Sequence, residues 1–100
     1  MSIDVYPVHI EERGGYHSFI HADDWEDGST LNMANRNFYS FFSELLGEQN
    51  VPAAPGIWKI KFVADALRMN RKNLPPHYVS KLKQIVARAE ILKADYICYS

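Results

Sequence analysis

Between Asn32 and Gly47 the chain reads NMANRNFYSFFSELLG, and Ala34, Phe38, Phe41, Phe42, Leu45 and Leu46 recur at the spacing of one broad stripe on an α-helix. That stripe constrains everything else. Each of its large side chains contributes about 1.5–3 kcal/mol on leaving water, a large share of the core that a 100-residue chain can assemble. The remaining residues must therefore supply an apolar surface opposite it. Asn32 is expected as the N-cap, because its side-chain oxygen can accept from a free first-turn N–H, and Gly47 stands at the C′ position where helices end.

Upstream, Ile3 to Ile10 and Tyr16 to Ala22 are rich in β-branched and aromatic residues and are separated by a segment with two glycines, which predicts a hairpin. Pairing Ile10 with Tyr16 sets Tyr6, Val8, Ile10, Tyr16, Ile20 and Ala22 on one face as the core side. Val5, Pro7, His9, His17, Phe19 and His21 then share the other. Pro7 lacks a ladder donor, so its strand lies at an edge or turns that nitrogen away from its neighbour. Downstream, EQNVPAAPG reads as a surface loop. A helix follows from about Lys59 to Asn70, since Ala64, Ala66, Leu67, Arg68 and Met69 are good helix formers. Pro76 opens another, running to about Lys93 with Val79, Leu82, Ile85, Val86, Ala89 and Leu92 on its apolar side. The closing YICYS reads as a strand added to the hairpin, with Cys98 in its core. The order ββαααβ makes a single α+β domain over residues 1–100, with a three-stranded antiparallel-type sheet and three helices on one face.

Charge separates the chain into halves. Residues 1–50 hold nine acids against two bases, a balance of −7, whereas residues 51–100 hold nine bases against three acids, a balance of +6. Such asymmetry fits a surface for a charged partner. No apolar run approaches the ~18 residues of a membrane span, and no basic segment followed by an apolar one opens the chain. With one cysteine and hence no internal disulfide, the sequence reads as cytosolic.

Patterns that specify chemistry are missing from the sequence. It has no GxSxG, no phosphate-cradling glycine loop, no HExxH and no CxxC. His9, His17 and His21 would share a sheet face in the register above, with Asp23 and Asp24 close behind, and imidazole suits zinc. Their spacing specifies no ligand set. An EF-hand reading of Asp23, Asp27 and Gly28 fails because Trp25 and Ala34 fall where oxygen ligands belong. No catalytic residue, metal ligand or cofactor is therefore assigned.

Two surfaces remain. Trp25 lies in an acidic connection with Asp23, Asp24, Glu26 and Asp27, shortly before Asn35 and Arg36 at the helix start. Tryptophan and arginine are enriched among binding hot spots, so these seven residues form the expected protein-binding site. Arg68, Arg71, Lys72, Lys81, Lys83 and Arg88, with Tyr78 as a stacking ring, form the corresponding candidate for nucleic acid. The leading expectation is a small non-enzymatic module that binds another protein, by analogy with inhibitors, immunity proteins and phage or mobile-element accessory factors. Nucleic-acid binding through the basic helices is the alternative, and a histidine-dependent metal protein or hydrolase the second alternative.

Overall fold

The computed structural model describes residues 2–13, 16–21 and 30–100, with residues 10–13 and 16–21 described by their backbone pairing. In chain order the elements are β1 (Ser2–Arg13), β2 (Tyr16–His21), β3 (Leu31–Ala34), α1 (Asn35–Leu46), a 3-10 turn (Glu48–Asn50), β4 (Gly56–Lys59), α2 (Ile60–Met69), α3 (Pro76–Ile91) and β5 (Tyr96–Tyr99). The fold is α+β. Among the described residues all five strands are antiparallel in one sheet of order β2-β1-β5-β4, and β3 also pairs with β1. Val5 faces both Leu31 and Tyr99, and Val8 both His21 and Tyr96, so β3 and β2 follow each other along the edge of β1 opposite β5.

Two short strands are additions to the expected three. The stretch from Asn32 is expected as the N-cap and first turn of the helix, but Leu31 and Met33 are buried while Asn32 and Ala34 are exposed, a period of two that fits a strand beside Ile3 and Val5. The helix accordingly starts at Asn35 and Asn32 caps nothing: its Nδ2 donates to Asp4 Oδ1 at 2.7 Å instead. Gly56–Lys59 was expected as the end of a loop and the start of a helix, yet pairs with β5 through Trp58 and Ile97.

The hairpin register also differs. Ile10 pairs with Phe19 rather than Tyr16, and Arg13 takes Tyr16, which lengthens β1 and shortens the connection. Against expectation, the helix-facing side of β1 carries Ile3, Val5 and Pro7, while Tyr6 lies on the opposite side; Val8 is buried as expected. The partners decide this. Met33, Leu31, Ile97 and Tyr99 stand across from these residues and join the same core. Pro7 satisfies its constraint inside a central strand. Asp4 and Ser100 exchange both backbone hydrogen bonds (2.8 and 3.0 Å), so by alternation Pro7 and Ile97 form a non-hydrogen-bonded pair. The Pro7 nitrogen thus points away from β5, at a position between the β3 ladder, which ends at Val5, and the β2 ladder, which begins at Val8.

The phenylalanine stripe is core as expected. Phe38, Phe41, Phe42 and Leu46 are buried, and their rings meet those of the sheet: Phe42 stacks on Trp58 (4.9 Å) and Phe38 lies 5.0 Å from Tyr99. Trp58 and Tyr99 stack at 4.4 Å. Both keep their polar atoms paired, Trp58 Nε1 donating to Asn50 O (2.8 Å) and Tyr99 OH to Pro52 O (2.8 Å). Ile60, Val63 and Leu67 of α2 and Leu82, Ile85, Val86 and Ala89 of α3 complete the layer, with Pro76 at the first turn of α3. α3 ends in a Schellman motif: Ala94 N–H donates to Ala89 O (2.9 Å), Lys93 N–H to Glu90 O (3.2 Å), and Lys93 takes a φ of 56°. Cys98 is half-buried on the outer sheet face, not in the core, because Ile97 and Tyr99 hold the inward positions of β5. Among the described residues no helix is long and apolar enough to cross a membrane.

Candidate functional site

The buried stripe of α1 dictates what its other side presents. By helical spacing Arg36 and Ser40 fall opposite Phe38 and Phe42 while Asn37 and Glu44 flank Phe41, and all four are exposed. Three adjoining depressions run along them. The first is lined by Ala34, Asn35, Arg36, Asn37 and Tyr39. The second, of about 330 Å³, shares Asn37 with it and adds Ser40, Phe41, Glu44, Lys72, Asn73, Leu74, Pro75 and Tyr78. The third shares Glu44 and Lys72 and continues to Leu45, Ala66, Met69 and Arg71. They succeed one another along one side of α1, with Asn37 standing between the first and the second and the Glu44–Lys72 pair between the second and the third.

Apolar anchors hold its walls. Leu74 is buried and fixes the connection, while Phe41 forms the floor with Tyr78 edge-on at 5.6 Å. Asn70 shapes the turn by accepting from Lys72 N–H (3.0 Å) and donating to Lys72 O (3.2 Å). Lys72 then reaches across: its Nζ donates to Glu44 O at 2.9 Å and lies 3.4 Å from Glu44 Oε2. Since these side chains are 59% and 61% exposed, solvent screens the pair, which fixes positions more than it stabilises. Asn37 Nδ2 donates to Tyr78 OH at 3.3 Å and joins α1 to α3. The groove offers a cation, a carboxylate, hydroxyls and amides over an aromatic floor, a mixture suited to a polar segment of another macromolecule.

The sequence candidates are redistributed. Asn35 and Arg36 lie at one end of this groove. Trp25, Asp23, Asp24, Glu26 and Asp27 lie outside the described residues. The basic set does not make one face. Arg71 and Lys72 border the α1 groove. Arg68 and Lys83 line a separate groove between α2 and α3, where Arg68 also bonds Asp65 at 2.9 Å. Lys81 and Arg88, seven residues apart on α3, share a flank of that helix turned roughly 140–160° from Lys83 by helical spacing. Tyr78, the proposed stacking ring, is packed edge-on against Phe41 and borders the α1 groove.

The histidine grouping is not maintained. The observed register sets His9 opposite Ile20 and His17 opposite Glu12, so the expected His9–His17 pair does not form. Among the described residues no group of three His, Cys, Asp or Glu side chains converges. His77 lies in the first turn of α3 beside the Tyr78 ring at 5.6 Å. Burial pushes the phenols of Tyr6 and Tyr99 above their ordinary range. Sequence reasoning missed Ser40, Glu44 and Asn73. Asn37, Ser40 and Glu44 did carry a signal, as polar residues flanking or facing away from Phe41 on the helix, but the partners of Asn37 and Glu44 are 41 and 28 residues away in the chain.

The chain matches no protein-family model, no curated protein and no solved structure.

Proposed function

We propose that this protein is a non-enzymatic binding module whose partner is another protein, docked along the outer side of α1. The observation that carries this reading is the succession of three adjoining depressions along α1, from Arg36 past Asn37 to Glu44 and Lys72. Its mixed charge favours a polypeptide over nucleic acid: Glu44 would face phosphates, and the cations that phosphates require are split between the groove, the α2–α3 face and a flank of α3. Arg36 and Tyr78 belong to the residue types that dominate binding energetics, and the packed Phe41 beneath Tyr78 limits its entropy loss on docking. We place the protein in the cytoplasm, where the free, half-buried Cys98 thiol would stay reduced.

Ser40→Arg tests the reading by filling the groove from an exposed position while keeping a good helix former. Tagged wild-type and Ser40→Arg protein are used to capture partners from the native host, each with nuclease treatment. A protein retained by wild type after nuclease and lost with the variant is the expected result. A partner lost on nuclease treatment, or held equally by both chains, contradicts it.

A further inference from the structure

A second surface lies between α2 and α3. The two helices run antiparallel, since Ile60 N–H at the start of α2 donates to Asp95 O just beyond α3 (3.3 Å). The groove of about 240 Å³ between them has a floor of small and apolar residues, including Ala64, Leu67, Val86 and Ala87. Its ends carry opposite charge: Arg68 and Lys83 at one, Glu90 at the other. Lys83 and Glu90 are seven residues apart, so both lie on the same side of α3, about 10 Å apart along its axis. Neither has an ion-pair partner among the described residues. Ala87 between them is exposed, and Ile91, one turn further on, is 70% exposed.

We infer that this groove is where a second copy of the chain docks, with the two α3 helices antiparallel and the two-fold axis passing between Val86 and Ala87. That axis sets Lys83 of each copy opposite Glu90 of the other, so both unpaired charges are matched twice. Arg68 adds a second cation at the end that receives the partner's Glu90. Ala87 at the crossing carries only a methyl group and lets the helix axes approach to about 8 Å, the short end of helix packing. A parallel arrangement brings Lys83 against Lys83 and is disfavoured by the same charges. The chain's own α3 carries the required pattern of base, small residue and acid, which selects a second copy as the occupant. The surface is distinct from the outer side of α1, so such a dimer displays two partner grooves.

Sedimentation velocity on the full chain, from micromolar to millimolar concentration at low ionic strength, tests this where screening is least. Wild type should gain mass with concentration up to a dimer, and added salt should reverse the gain. Lys83→Glu and Glu90→Lys should each sediment as monomers with unchanged thermal melts, because both positions are exposed. An equimolar mixture of the two variants should restore the dimer, as should both reversals placed in one chain. Wild type that remains monomeric throughout overturns the inference, as does association that survives either single reversal, or a mixture that stays monomeric. A monomer whose capture of some other protein depends on Lys83 and Glu90 likewise overturns it and gives the groove to that protein.

Discussion

Replacing Gly56 by alanine adds a single methyl group at the place where sheet and aromatic core are closest. An alanine Cβ at this position would stand 2.1 Å from Cζ and Oη of Tyr99 and 2.6 Å from Cε1. Ordinary carbon contacts are about 3.5–4.0 Å, so the ring has to move by more than an ångström. It has no free direction in which to go. Trp58 stacks at 4.4 Å, Phe38 sits at 5.0 Å, and the hydroxyl is tied to Pro52 O at 2.8 Å. Overpacking of this kind costs about 1–3 kcal/mol, and loss of the phenol hydrogen bond adds about 0.5–1.5 kcal/mol. The expected loss is therefore about 1.5–4.5 kcal/mol, a large part of the ~5–15 kcal/mol that holds a domain together. Urea denaturation followed by far-UV circular dichroism measures it. In a Tyr99→Leu background, where no ring opposes the methyl, the same Gly56→Ala change should be close to neutral. A loss below ~1 kcal/mol in the wild-type background, or equal losses in both backgrounds, would refute the packing argument.

Two further effects concern the end of α3 and the buried phenols. Lys93 occupies the left-handed position of the α3 Schellman motif at φ 56°, so Lys93→Gly should stabilise the protein by about 0.5–1 kcal/mol, read as a higher urea midpoint at unchanged slope. Tyr6 and Tyr99 hold their protons above the ordinary phenol range because burial disfavours the phenolate. Above about pH 10 the unfolded chain releases protons that the native state keeps, so stability should decline with rising pH. Urea midpoints compared just below and well above that pH check the sign, and Tyr99→Phe should make the decline shallower.

What the sequence reveals depends on how many residues carry each signal. α1 and α3 present several buried side chains at helical spacing, and the pattern identified both. β3 and β4 are four residues each and place only two side chains (Leu31, Met33) and one (Trp58) inward, too few for alternation to outweigh the neighbouring helical pattern. Trp58, Ile60 and Phe62 alternate, yet only Trp58 belongs to a strand. Hairpin register was inaccessible for a different reason. Residues far along the chain set the faces of β1, since Ile97 and Tyr99 pair with Pro7 and Val5. The candidate site shows the same division. Arg36 and Lys72 were visible as charges, but Asn37 meets Tyr78, and Glu44 meets Lys72, only after α1 packs against the α2–α3 connection.

We propose that the outer side of α1 receives a protein partner. Backbone amide shifts of the isotope-labelled chain, recorded while a captured partner is titrated in, test it residue by residue. The largest changes should fall on Arg36, Asn37, Ser40 and Glu44 and, across the groove, on Lys72, Asn73 and Tyr78. Changes confined to the outer sheet face at Tyr6, Tyr96 and Cys98, with those seven amides unmoved, would contradict it.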